Sequence, residues 1–295
     1  MHSEKTVMRL VERIDAGDEL DKKAADELVL AVAEARDAAR RLGCEEIMAF
    51  ATSAIRDAVN AGEVLARVAE ETGIELRVLT GEQEARLTFL AVRRWFGWSA
   101  GRLLVLDIGG GSLEVAMGVD EEPDLAESLP LGAGRLTRTR FDHDPPTRSE
   151  VVSTTVWLGD QLGELADHVA ALGTPDRVVA TSKTFRSLAR LTGAAPSSAG
   201  PRVSRVLTHA GLRQLISFIS RMSSDDLAQL EGVSTSRAHQ LVAGALVAES
   251  TMRALSLESL EICPWALREG VILQRLDHSD GTDQTALLTG RRRDG

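Results

Sequence analysis

Asp107-Ile108-Gly109-Gly110-Gly111-Ser112-Leu113-Glu114 is the stretch on which the reading of this chain turns. It directly follows Leu103-Leu104-Val105-Leu106, an apolar run that suits a strand buried on both faces. Three consecutive glycines permit positive φ and a close backbone approach to a ligand. Their N–H groups can form an anion-binding concavity. Asp107 stands at the strand end, where it could hold a metal ion or its water beside a phosphate. Val115-Ala116-Met117 resumes as a strand, so the loop joins a hairpin and is not the strand–loop–helix of a Walker motif. Glycines also simply make tight hairpins, but two acids flanking three glycines and a serine form a far more specific pattern.

Working outward, strands and helices alternate. Leu28, Val32, Ala35 and Ala39 give residues 22–42 a helical period that Gly43 stops. A strand is expected over 47–51, a helix over 60–72, a strand over 74–79, a helix over 82–94 and a strand over 103–107. Beyond the acidic stretch 120–123 come a strand over 177–180, a helix over 184–191, a small Pro-bearing loop over 193–202 and several further helices to Asp277. This alternation predicts an α/β architecture of two units, 1–120 and 121–278. The tail 279–295 has few apolar residues and is expected to be disordered.

Three other segments carry chemistry-bearing residues. Gly81-Glu82-Gln83-Glu84-Ala85-Arg86 opens a helix, where acids suit the dipole whatever else they do. Ala51-Thr52-Ser53-Ala54-Ile55-Arg56-Asp57 is a strand-to-helix junction; its arginine could grip phosphate or pair with a nearby acid. Ala180-Thr181-Ser182-Lys183-Thr184 is another such junction, an anion site or plain N-capping.

The 295 residues carry a formal net charge of −10, 3% aromatics and no tyrosine, which argues against a DNA or RNA partner. The 34 basic residues include only four lysines, and Lys183 is the one remote from the N-terminus. An acidic chain can still take a polyanion if basic groups and a metal ion are concentrated locally. No apolar run reaches the ~18 residues of a membrane span. Two cysteines, Cys44 and Cys263, make neither a disulfide framework nor a zinc cluster, and a cytoplasmic location is expected.

Together these segments resemble the exopolyphosphatase/guanosine pentaphosphate phosphohydrolase family in its short form, over nearly the whole chain from about Lys5 to Leu276. The segment 107–114 is similar to the second phosphate loop of the wider actin-like, sugar-kinase and Hsp70 superfamily. The segments 81–87 and 51–60, with 232–245 (GVSTSRAHQLVAGA) and 267–273 (LREGVIL), narrow the likeness to the family. The resemblance implies two actin-like, ribonuclease-H-type domains with a cleft between them. It implies Glu84 as the general base that activates water, and Asp107 and Glu114 as holders of Mg²⁺. Gly109, Gly110, Gly111 and Ser112 would bind phosphates, Thr52 and Arg56 would face the terminal phosphoryl group, and Thr181, Ser182, Lys183 and Thr184 would close the cleft. The implied reaction is release of terminal orthophosphate from polyphosphate, or of the 5′-γ-phosphate from guanosine pentaphosphate; a homodimer is a further implication.

The chain departs from the family at several positions. Lys183 stands where many members have glycine, His239 where an acid is frequent, and Gln83 where an additional glutamate is common. The family opens with a hairpin bearing an Asp-x-Gly-Ser-Asn loop, and no such segment occurs in this sequence. The first domain is therefore expected to lack its opening β-hairpin, through a start placed too far downstream or a truncation. Two further classes compete with a hydrolase. A polyphosphate- or guanosine-pentaphosphate-sensing protein of weak catalysis follows from the absent loop. A sugar or acetate kinase usually shows an adenosine-pocket glycine pair, which the 180–184 loop lacks.

Overall fold

The computed structural model describes residue 8 and residues 10–14 and 17–288, with side chains to 278. Eight strands form among the described residues: β1 (Phe50–Ala51), β2 (Arg77–Val78), β3 (Leu103–Ile108), β4 (Leu113–Gly118), β5 (Leu125–Leu129), β6 (Arg177–Ala180), β7 (Val206–Thr208) and β8 (Ser259–Ile262). The run quoted above becomes β3, inside a six-stranded sheet of order β5-β4-β3-β6-β8-β7. β3 pairs antiparallel with β4 and parallel with β6, so both of its edges are occupied.

Alternation decides what covers β3. Leu104, Leu106 and Ile108 join a core shared with Phe185 and Leu188 of helix Ser182–Leu191 and with Leu246 of helix Leu241–Ala254. Leu103 and Val105 join a second core with Ala85, Phe89 and Val92 of helix Gly81–Phe96. These five apolar side chains of β3 are at most 2% exposed. An apolar run without polar interruption is what such a two-sided burial requires.

β1 and β2 form a separate two-stranded parallel sheet, with Phe50 opposite Arg77 and Ala51 opposite Val78. Helices Lys22–Arg41 and Ala61–Thr72 bury Leu28, Val29, Val64 and Val68 in the core beside it. The expected strands 47–51 and 74–79 thus shrink to two residues each. Among the described residues β1 has a strand partner on one side only, and Ile47 and Met48 are 40% exposed beside an apolar groove of about 410 Å³.

The expected unit boundary and tail fall as follows. The expected unit 1–120 ends in two strands, β3 and β4, that hydrogen-bond into the sheet containing β6, β7 and β8 of the expected unit 121–278. The proline-bearing stretch read as a boundary is a turn between β4 and β5. At the other end, helix Leu267–Leu288 continues past Ser279, where the disordered tail was expected; residues 289–295 lie outside the described residues. No helix among the described residues is long and apolar enough to cross a membrane.

Candidate active site

Crowding accounts for one glycine of the loop: a Cβ on Gly111 would overlap Ser53, whereas Gly109 and Gly110 have ordinary room. None of Gly109, Gly110 and Gly111 adopts a positive φ, so the conformational freedom expected of them is not what the turn uses. Gly109 N–H bonds the Ser112 carbonyl at 2.9 Å to close the turn. The carbonyls point into the neighbouring segment: Ala133 N–H donates to Gly109 O (3.0 Å), Arg135 N–H to Gly110 O (2.9 Å) and Arg135 Nε to Gly111 O (2.9 Å). Gly132 lies so close that a Cβ there would overlap the backbone of Gly110, Gly111 and Ser112. With its carbonyls committed and the Gly109 N–H closing the turn, the loop has the N–H groups of Gly110, Gly111 and Ser112 to offer an anion.

Three carboxylates gather around this loop. Asp107 ends β3, and Thr181 Oγ1 donates to its Oδ2. Burial pushes Asp107 above the usual carboxylate range, against the Thr181 hydroxyl and the charges of Arg186 and Arg237. Glu114 lies opposite Asp107 in the β3–β4 ladder and is 6% exposed. Its carboxyl is pushed up to about 8, by burial first and then by Asp107 and Glu84, with the Ser112 and Ser128 hydroxyls opposing. Ser128 Oγ donates to Glu114 Oε1 at 3.0 Å. Glu84 sits in the first turns of helix Gly81–Phe96, 7% exposed. Burial pushes it up to about 7; Arg56 pulls it back, while Asp107 and Asp57 push further.

The start of that helix fixes Glu84. Thr80 and Gln83 make a capping box, with Gln83 N–H donating to Thr80 Oγ1 (3.1 Å) and Thr80 N–H to Gln83 Oε1 (2.9 Å). Gln83 is therefore used as part of the cap. Gly81 has no room for a side chain, because Ser128 of β5 occupies the space where a Cβ would go.

The structure sorts the remaining expected site residues. Arg56 Nη1 donates to Glu84 Oε1 and to the Leu79 carbonyl (3.1 Å), and its Nε to Asp57 Oδ1 (3.2 Å). Its neighbour Ser53, not Thr52, lies against the glycine loop, where a Cβ on Gly111 would overlap the Ser53 side chain. Thr52 caps helix Ser53–Arg56 by position, without a side-chain bond, and lines the apolar groove. Thr181 and Thr184 are supports: Thr184 Oγ1 donates to the Ile108 carbonyl (3.1 Å) just as Thr181 holds Asp107. Both follow β6, the strand that pairs with β3, so they stand beside the strand end that leads into the glycine loop. Ser182 adopts φ 65°, a left-handed conformation, and its Oγ accepts from Phe185 N–H at 3.4 Å. Lys183 is exposed and lines a small cavity with Ser234, Arg237 and Gln240.

Sequence reasoning missed Ser53, Asp57, Ser128, Arg135 and Arg237 as parts of the site. Arg237 is held below its ordinary value by burial and feels Asp107 and Glu12. It lies inside the quoted 232–245 segment, which was the available signal.

Oxygen donors dominate the centre: the Asp107 and Glu114 carboxylates with the Ser112, Ser128 and Thr181 hydroxyls. Among the described residues no three acidic, histidine or cysteine side chains form a complete metal cage. Two buried carboxyls that resist ionising beside one another fit a hard cation that would let both ionise, keeps waters and shares substrate phosphates, as Mg²⁺ does.

The chain matches the model of the Ppx/GppA phosphatase family over residues 1–279. The chain belongs to that family. Among Ppx/GppA relatives, it is 62% identical to exopolyphosphatase 1 of Mycobacterium tuberculosis, over 96% of this chain and 82% of that protein. A Ppx/GppA family crystal structure from Aquifex aeolicus superposes with a TM-score of 0.75 at 27% identity, covering 93% of this chain and 88% of that one. An exopolyphosphatase from Cytophaga hutchinsonii, 24% identical, shares the fold with a TM-score of 0.80 over 90% of this chain and 85% of its own. The Ppx/GppA fold is thus the α/β, two-domain actin-like one expected.

Proposed function

We propose that this chain is an exopolyphosphatase, which releases orthophosphate from the end of linear polyphosphate by attack of water. The observation that carries this reading is a buried base, Glu84, held near neutrality beside a carbonyl-committed glycine loop and a pair of buried carboxylates. A general base works best when its proton affinity matches the operating pH. The N–H groups of Gly110, Gly111 and Ser112 receive the terminal phosphates, while that of Gly109 closes the turn. Glu84 takes a proton from the attacking water as the new P–O bond forms and the terminal anhydride P–O bond breaks. The leaving electron pair stays on the shortened polyphosphate.

Asp107 and Glu114 would hold Mg²⁺, which when bound neutralises charge on the phosphoryl oxygens. Arg56 has two calls on its guanidinium, the Glu84 carboxylate and an incoming phosphoryl group; its present bond to Glu84 favours the deprotonated base and aims it. Thr181 and Thr184 fix the strand end that carries Asp107, and Lys183 with Arg237 supplies positive potential toward the polyanion. Phosphoryl transfer asks for positioning and charge neutralisation more than covalent help, which this set of groups provides.

Phosphate release from polyphosphate by Glu84→Gln tests the reading. The change keeps shape and removes the base, so kcat is expected to fall ~10²–10⁴-fold with binding preserved. Near-parental turnover would mean that another group takes the proton. Guanosine pentaphosphate, run in parallel, offers the same terminal phosphoryl group and reports the substrate preference.

A further inference from the structure

Arg135 does two jobs at once. Its backbone N–H and its Nε hold the carbonyls of Gly110 and Gly111, both at 2.9 Å. Its Nη2 reaches Asp57 Oδ2. Asp57 offers its other oxygen, Oδ1, to Arg56 Nε at 3.2 Å, and Arg56 Nη1 holds Glu84. One continuous chain of charged hydrogen bonds therefore runs from the phosphate-binding loop to the base: Gly111, Arg135, Asp57, Arg56, Glu84. Its middle members come from different parts of the fold. Arg135 lies on helix Ala133–Arg140, which hangs from the six-stranded sheet, whereas Arg56 and Asp57 follow β1.

We propose that Arg135 is a positioning residue that fixes the distance between the glycine loop and the Glu84 base through Asp57 and Arg56. The proposal rests on the hydrolase reading above for its kinetic arm. The guanidinium suits the task because its planar fork addresses a carbonyl and a carboxylate in fixed directions. Lysine at this place keeps the charge but has no fork, so it can satisfy the loop or Asp57 and not both. Arg135 and Asp57 are 25% and 31% exposed, which limits competition from water. No phosphate contact is required of Arg135, and this separates it from a substrate-binding arginine.

Arg135→Lys is the test, read in two ways. In phosphate release from polyphosphate, kcat is expected to fall ~10–10²-fold with KM within about threefold, the signature of a base displaced by an ångström or less. In a Glu84→Gln background the same change should cost less than about twofold, because there is no base left to position. An equal loss in both backgrounds would place Arg135 on the substrate itself and overturn the proposal. Independently of activity, amide hydrogen exchange in Arg135→Lys should quicken about tenfold or more both in residues 109–115 and in residues 52–57. The exposed control Arg148→Lys should alter neither. Faster exchange confined to 109–115 would leave Arg135 a support of the loop alone, and the bridge would be refuted. Should Arg135→Lys fail to fold, Asp57→Asn interrupts the same chain from the other side and is expected to reproduce both effects. A parent chain that releases no phosphate would remove the hydrolase reading, while the exchange result would still decide the bridge.

Discussion

The two sides of the site are built in opposite ways. On the sheet side, backbone does the work: β3 has strand partners on both edges, the glycine-loop carbonyls are bonded, and Gly132 allows no Cβ. On the other side, two-residue strands carry a junction whose side chains are aligned by ion pairs, Arg56 with Glu84 and Asp57, and Asp57 with Arg135. The contrast separates two tasks. A phosphate cradle benefits from a rigid, pre-bonded backbone that needs no reorganisation. A base that must exchange a proton and share a cation with the substrate benefits from partners that can be traded.

If the cradle is backbone-built, Gly132→Ala should be the most damaging change. The added methyl would overlap Gly110, Gly111 and Ser112, with an expected stability loss of about 3 kcal/mol or more and no measurable phosphate release. Thermal unfolding measures this, and parental stability would break the comparison.

Next comes Glu114→Gln, which asks what the buried charge costs. The folded carboxyl stands at about 8, above its ordinary 4.5, so the favourable term is complete below 4.5 and is lost as pH rises through 8. Without divalent metal, the glutamine variant should match the parent at pH 4 and exceed it in denaturant midpoint at pH 9. A variant weaker at pH 9 would show that the Ser112 and Ser128 hydroxyls need the charge.

Arg56→Ala probes the ion-paired side. Arg56 opposes the upward push on Glu84, so its loss raises the carboxyl beyond about 7. The acid limb of kcat/KM should move to higher pH by about one unit, roughly a tenfold loss below the limb, with the fold intact. An unmoved limb would mean that Arg56 does not act on the base.

The smallest effect belongs to Ser182→Gly. Relief of a left-handed φ of 65° should raise stability by about 1 kcal/mol, seen as a modest upward shift in unfolding temperature.

Legibility in the sequence follows the same division. β3 and β6 could be read because their burial leaves an apolar signature, and the residues of the glycine loop because acids beside glycines are rare. β5 could not: Leu-Ala-Glu-Ser-Leu is half-buried throughout and looks polar, yet it supplies Ser128. β7 and β8 are three and four residues long, shorter than any periodicity test resolves. Glu84, Asp107 and Glu114 were legible as a set through resemblance to the family, and their mutual influence was not, because it depends on which strands adjoin. The glycines were expected for left-handed turns and none adopts one; Gly111 is confined by Ser53 and Gly132 by the loop backbone, neighbours that a linear reading does not contain. Arg135 and Asp57 have ordinary surroundings in the sequence, and only tertiary contact makes them partners.

Ser128 has a consequence beyond its hydrogen bond. Its body excludes a side chain at Gly81 while its hydroxyl serves Glu114, so one small residue gauges the seat of the Glu84 helix and tends the opposing carboxylate. Positions 81 and 128 are thereby tied in inheritance. A lineage that enlarges residue 128 must displace the helix, and one that places alanine at 81 must shrink 128 to glycine and surrender the hydroxyl. Among descendants of this sequence the pair should drift together or not at all.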